Sequence, residues 1–233
     1  MDLRHQTLVD RIYARLRALI EGGTIRSGAR LDERALAEQM AVSRTPLREA
    51  IGKLTKEGLV EHRPYKGNFV RVLSAKQIDD LYEVRRALEG LAVRQSVPHF
   101  TSADTAEVRE ALEDTERALA AGDMAEYGAA DQRFHDVFVR VAGNEALSET
   151  LDRLRMQVHL IRMVANRDPD IVARTAMERP RILAALEARD ADLAARLMEE
   201  HIEGVRRSFH VSSDAHGDEA SAGNDRDEAV AAS

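Results

Sequence analysis

The sequence predicts a mainly α chain in two unequal parts: three helices with a small β-hairpin at the N-terminal end, then an all-α helical bundle. Three observations carry this. The 233 residues are 44% apolar and only 4% aromatic, and Leu, Ala, Arg and Glu dominate, a balance that favours helices. Apolar positions recur at helical spacing through almost the whole chain, broken by one stretch of β-formers around a Pro/Gly turn. Charge divides the same way. Residues 1–73 hold 14 Lys and Arg against nine Asp and Glu, a net +5, so a total of −7 leaves −12 on the other 160. The basic end is a candidate polyanion binder inside an acidic chain.

From Thr7 to Ile20 the positions Val9, Ile12, Tyr13, Leu16, Leu19 and Ile20 form one apolar stripe, which Gly22-Gly23 ends. A second, short helix runs from a cap at Asp32 through Leu36 and Ala37 to Met40. The third starts at Ser43 or Thr45, tolerates Pro46 in its first turn, and continues to Glu57, where Gly58 closes it. LVEHRPYKGNFVRVL then reads as a two-stranded hairpin whose basic tip holds Arg63, Lys66 and Gly67.

Past a cap at Ser74 the pattern is helical without strand signals. Ile78, Leu81, Tyr82, Leu88 and Leu91 mark one helix; Val108, Leu112 and Leu119 mark the next; Met124, Tyr127, Phe134, Phe138 and Val141 carry a third to Gly143. Leu147, Leu151, Leu154, Val158 and Ile161 follow, and segments 171–188 and 190–209 complete a bundle of about six helices. From Val211 the sequence becomes acidic and poor in large apolar residues. The expected domains are therefore 1–73, 74–210 and a disordered tail at 211–233.

Several chemistries are excluded at once. Without cysteine there is no disulfide framework, thiolate metal site or cysteine nucleophile, so any metal must be held by His and carboxylate. No run approaches the ~18–20 apolar residues needed to span a bilayer, and the first residues lack a signal peptide's apolar core, which predicts a cytoplasmic protein with no membrane partner. With no Trp and few aromatics, a stacking platform for bases or sugars is not expected.

The second and third helices, with the turn Ala41-Val42-Ser43 between them, make a helix-turn-helix locked by Leu36, Ala37, Val42, Leu47, Ile51 and Leu54. Ser43, Arg44, Thr45 and Arg48 cluster where the third helix begins. There the helix dipole and open amides favour a phosphate or a base-edge acceptor, and a recognition helix enters the major groove. Arginine can bond guanine bidentately, while Arg34, Lys53 and Lys66 are placed to neutralise phosphate. The plainer alternative is a solvated charged face. Against it, the stretch Ser43–Arg48 contains two arginines and no acid, beside a second basic element at the hairpin tip.

Ile12-Tyr13 and GTIRSGARLDERALAEQMAVSRTPLREAIGKLTKEGLVEHRPYKGNFV closely resemble the winged helix-turn-helix of the GntR family of bacterial transcription regulators. The diagnostic residues are Val42-Ser43-Arg44-Thr45-Pro46-Leu47-Arg48-Glu49-Ala50, Gly58-Leu59-Val60 and Gly67. The resemblance implies that Arg34, Arg44, Thr45 and Arg48 contact operator DNA and that the wing tip at Lys66 and Gly67 reaches the adjacent minor groove.

In the bundle, Asp131 and His135 stand four residues apart on the helix face that also carries Tyr127, Phe134 and Phe138, so both point inward. His201 shares a stripe with Leu193, Leu197 and Val205. Asp131, His135 and His201 could together hold a divalent ion; alternatively Asp131 and His135 pair with each other or with a buried Arg, and His201 is a core histidine. LYEVRRALEGLAVRQ, Asp131-Gln132-Arg133-Phe134-His135, Gly143-Asn144 and ARDADLAARLMEEHI are similar to the FCD effector domain of the FadR subfamily. That resemblance implies a site for one divalent, zinc- or nickel-like ion held by an Asp, the His four residues on and two later histidines, the last matching His201. The other falls on Arg179, which stays protonated and is no ligand. Arg179 is instead able to clamp an effector carboxylate or neutralise Asp131. Arg85 is a second candidate clamp, or an ion pair with Glu89.

The expected function is therefore a ligand-responsive transcription regulator rather than an enzyme. It would be a homodimeric repressor that reads a palindromic double-stranded operator and is released by a small carboxylate metabolite in the C-terminal domain. The alternative is a metal-dependent enzyme built on Asp131, His135 and His201. No Gly-rich phosphate loop, nucleophile elbow or HExxH pattern accompanies that cluster.

Overall fold

Thr7 caps the first helix reciprocally: its hydroxyl accepts from the Asp10 amide while the Asp10 carboxylate accepts from the Thr7 amide. That helix, α1 (Leu8–Glu21), opens a computed structural model that describes residues 7–166 and 168–224. The chain divides into two compact units. One comprises the chain up to Ser74 together with Glu149–Met163, and the other Ala75–Ser148 together with the chain from Val164 on.

In the first unit α1 is followed by β1 (Arg30–Leu31), α2 (Glu33–Gln39), α3 (Arg44–Lys56), β2 (Val60–Arg63) and β3 (Gly67–Val70). Asp32 caps α2 by accepting from the amides of Arg34 and Ala35. α3 ends in a Schellman turn, with Leu59 N–H bonded to Leu54 O and Gly58 N–H to Thr55 O, which needs the left-handed backbone that Gly58 supplies (φ +79°). The hairpin is the one expected, with Val60 opposite Val70 and Arg63 opposite Gly67. A third strand was not expected: β1 pairs with β3, giving the order β1-β3-β2. Two residues are too few for a period-2 signal to register in the sequence.

Ile12, Leu16 and Ile20 of α1 close over Leu36, Leu47, Ile51 and Leu54, with Leu59, Val60 and Val70 beneath. Burying each such side chain stabilises by roughly 1.5–3 kcal/mol. Met156 and Leu160 join this core from α7 (Glu145–Ala165), a helix whose apolar stripe reads in the sequence as belonging to the bundle.

The second unit is all helix among the described residues: α4 (Ala75–Ser96), a single 3-10 turn at Val97–His99, α5 (Ser102–Ala121), α6 (Met124–Ala142), the ends of α7, α8 (Pro169–Glu187) and α9 (Ala191–Asn224). α9 packs along α4 and α8, and α6 lies against α4 and α5. At Gly90 a Cβ would run into the Glu199 side chain of α9, which would have to move aside. Tyr82, Tyr127, Phe134 and Phe138 are fully buried, and Phe134 meets Phe138 edge-on with ring centres 5.5 Å apart. Pro180 lies inside α8 and cannot donate to the carbonyl of Ala176. The α9 backbone stays helical past Val211 to Asn224, where composition predicts disorder. The remainder of the expected tail, 225–233, lies outside the described residues.

Candidate functional site

Two clusters of the expected site residues are assembled, one in each unit. In the first, Ser43 holds the N-cap position of α3 with extended backbone (φ −75°, ψ 162°), yet its hydroxyl makes no capping bond. The first amides of α3 and the positive end of its dipole are therefore open to an anion. Arg44, Thr45 and Arg48 are exposed around that end, and Arg34 is exposed on α2. Among the described residues Arg34, Arg44 and Lys66 make no ion pair.

Arg48 is held, not loose. Its Nε donates to Glu33 Oε2 at 2.6 Å, which leaves both terminal nitrogens, the edge that matches guanine O6 and N7, clear of the protein. The other Glu33 oxygen accepts from Asn68 Nδ2 of β3 at 3.3 Å. One carboxylate in the first turn of α2 thus ties α3 to the wing. Where Arg48 reads a base, Glu33 positions it, and Glu33→Gln, which keeps the size and removes the charge, should then separate affinity from specificity. Non-specific DNA binding should tighten slightly as a negative charge leaves the face, while the ratio of specific to non-specific affinity should drop by roughly 3–10-fold. Gel shifts with and without competitor DNA measure both, and an unchanged ratio would show that Glu33 does not set the geometry of Arg48.

At the wing tip the Lys66 N–H donates to Arg63 O at 3.0 Å. Tyr65 is fully exposed on a left-handed backbone (φ +62°), and Gly67 takes φ +102°. Arg63 pairs with Glu61 at 2.6 Å and lies 4.5 Å above the Phe69 ring, so Lys66 is the unpaired cation of the described tip. Arg30 was missed in the sequence. β1 brings its Nε to 3.6 Å from where a Gly67 Cβ would be, adding a cation beside the wing.

In the second unit Arg85 and Glu89 of α4, Asp131 and His135 of α6, Arg179 of α8 and His201 of α9 are all buried. Arg85 donates from Nε to Glu89 Oε1 at 2.6 Å, and burial, which works against its charge, is outweighed by that carboxylate, so its pKa is raised. His135 bonds through Nδ1 to the second Glu89 oxygen, and its Nε2 lies 3.5 Å from Arg85 Nη2 and 3.9 Å from Asp131 Oδ1. Arg179 Nη2 forms an ion pair with Asp131 Oδ1 at 2.6 Å and donates to Tyr127 Oη at 2.9 Å. Its charge too survives burial, because the Asp131 carboxylate faces it. His201 Nδ1 lies 2.8 Å from Glu178 Oε2, and burial lowers its pKa, helped by Arg179 and opposed by Glu178. Carboxylates only accept, so Nδ1 carries the proton in both imidazoles; in neutral His201 that leaves Nε2 as a lone pair. The two rings stack at 5.7 Å.

The expected metal set of Asp131, His135 and His201 does not assemble. Among the described residues no group of three or more His, Cys, Asp and Glu is placed to hold a metal ion. The reason is electrostatic: Asp131 is already taken by a guanidinium and a second one faces His135. Nε and Nη1 of Arg179, a residue 3% exposed, reach no hydrogen-bond partner at all. Of its five N–H groups only those of Nη2 are engaged.

Residues 80–204 match the FCD domain, and residues 8–70 match the bacterial regulatory proteins of the gntR family. This chain belongs to the GntR family and carries an FCD domain. A probable D-xylose utilization operon transcriptional repressor from Paenarthrobacter nicotinovorans is 33% identical over 183 residues, 78% of this chain and 80% of that protein. The HTH-type transcriptional repressor RspR of Escherichia coli (strain K12) is 27% identical over 206 residues, 87% of this chain and 89% of the relative. Among solved structures, a putative GntR transcriptional regulator from Rhodococcus sp. RHA1 superposes with a TM-score of 0.76 at 29% identity, covering 86% of this chain and 96% of that one. GntR relatives of this kind are transcription regulators, not enzymes, and so is this chain. No described helix is long and apolar enough to cross a membrane.

Proposed function

We propose that this GntR/FCD regulator belongs to the FadR subfamily and acts as a homodimeric repressor, released when a small carboxylate metabolite enters the C-terminal domain. In this reading residues 1–73 are the DNA-binding domain and 74–210 the effector and dimerisation domain. Arg44, Thr45 and Arg48, with the open N-terminus of α3 beginning at Ser43, read base edges of a palindromic operator. Arg34, Lys66 and Gly67 hold the backbone and minor groove. Two-fold symmetry doubles the few base contacts that one module offers.

The observation that carries the ligand half is Arg179. A buried guanidinium with unengaged Nε and Nη1 is costly unless something accepts from it, and a carboxylate is the acceptor that suits it best. Arg85, His135 and His201 line the same polar interior with Asp131. The ligand acts by favouring one arrangement of the bundle, and α4 starts only five residues after β3 ends, so a shift of α4 is felt at the wing through a short connection.

Selection of bound duplexes from a random pool, followed by gel shift and by melting the protein with a panel of small monocarboxylates, tests both halves. A palindromic consensus and stabilisation by an acid that also releases the DNA are expected. Failure to enrich any sequence would overturn the DNA half; an unchanged melting temperature across the panel would overturn the ligand half.

A further inference from the structure

We infer that Arg179 takes the place of a bound ion in this FCD domain, so that the protein keeps its buried polar cluster in order without metal, and that exchanging this one side chain for an imidazole creates a metal-binding set. This goes beyond the proposed function, and it stands whether or not the ligand is a carboxylate.

Two buried guanidiniums face two buried carboxylates. Arg85 pairs with Glu89 and Arg179 with Asp131, each at 2.6 Å. His201 adds no charge, since burial holds it neutral. A divalent cation placed between Asp131 and the imidazoles would have to displace Arg179 Nη2 from 2.6 Å and would meet Arg85 Nη2 at His135 Nε2. Both contacts are between like charges in a site shielded from water.

The remaining side chains are of ligand type, although they are not gathered around one point in this protein. His201 turns Nδ1–H to Glu178, and His135 turns Nδ1–H to Glu89, so each ring is fixed by a carboxylate on its outer side. The two rings stack with centres 5.7 Å apart, and Asp131 Oδ1 stands 3.9 Å from His135 Nε2. What the set lacks is a fourth ligand and the removal of the guanidinium. Arg179→His supplies both, because the side chain that now neutralises Asp131 becomes a nitrogen ligand and releases the carboxylate. Arg85 need only keep its bond to Glu89, its contact with His135 being the longer of the two.

The test uses the full chain, wild type and Arg179→His, purified without added metal, stripped with chelator and titrated with Zn²⁺ by calorimetry, with elemental analysis before stripping. The wild type should contain far less than one metal per chain, bind no Zn²⁺ tightly and melt at the same temperature after stripping, whereas Arg179→His should bind about one Zn²⁺ per chain and lose it on adding Asp131→Asn. A wild type that carries about one ion per chain and melts lower without it would overturn the inference, as would a folded Arg179→His that binds no more than wild type. If Arg179→His does not fold alone, refolding with and without Zn²⁺ decides: rescue by the metal supports the inference and no rescue counts against it. No DNA or acid enters these measurements, so their failure leaves the proposed function standing, and the reverse holds too.

Discussion

Arg48→Ala is expected to weaken sequence-specific operator binding severely and to leave the fold intact. In the free protein the side chain is mostly exposed, 63%, and its single ion pair with Glu33 is the kind of surface contact that contributes at most about 1 kcal/mol to stability, so the melting temperature should hardly move. The DNA term is larger. A bidentate arginine–guanine pair discriminates by roughly 1–3 kcal/mol, and a dimer makes it twice, so specific affinity should fall by about 2–6 kcal/mol, at least ~30-fold. Arg34→Ala and Lys66→Ala provide the contrast. Side chains that touch only phosphate should weaken all sequences alike, each lowering the slope of log K against log salt by about one. Fluorescence anisotropy on operator and scrambled duplexes at several salt concentrations separates the two patterns. An Arg48→Ala protein that still binds its operator with wild-type affinity would remove α3 as the reading helix.

What the sequence makes legible follows from the range of the interactions involved. The cap at Asp32, the stop at Gly58 and the stripe Ile12, Leu16, Ile20 are local, each fixed by residues within one or two turns, and each can be read before any tertiary contact is known. The inward pair Asp131 and His135 is legible for the same reason, since i and i+4 share a face. Which groups meet that pair is another matter. Glu89 is 46 residues from His135 and Glu178 is 23 from His201, and no periodicity links helices that are brought side by side only by packing. Glu33 hides likewise. Next to Asp32 it reads as first-turn charge, and only the folded module, with α3 and β3 around it, makes it the brace for Arg48. α7 misleads in the opposite sense: its bundle stripe is plain in the sequence, but Met156 and Leu160 serve the core of the first unit.

Arg179→Leu should separate the second cluster into its structural and its ligand-binding parts. Removing the guanidinium takes the 2.6 Å ion-pair contact from the Asp131 carboxylate, 5% exposed, and breaking a buried pair from one side typically costs about 3–5 kcal/mol. Tyr127 loses its donor as well, although its hydroxyl keeps Thr175 at 3.2 Å. Much of that penalty is lost compensation of a buried charge, so the double variant Arg179→Leu/Asp131→Asn, which removes both members of the pair, should recover most of the stability. Neither substitution touches α2, α3 or the wing, and operator affinity in the double variant should stay near wild type. Its response to acids should not recover, since the buried N–H groups of Nε and Nη1, the donors awaiting an acceptor, are absent in both variants. Arg179→Lys provides the intermediate case: the charge persists on a point ammonium without the planar fork, so a carboxylate should bind more weakly but still measurably. Thermal melts with and without the acid, paired with DNA release at matched concentrations, read out all three variants. A double variant that the acid still stabilises and still strips from its operator would place the ligand somewhere other than Arg179.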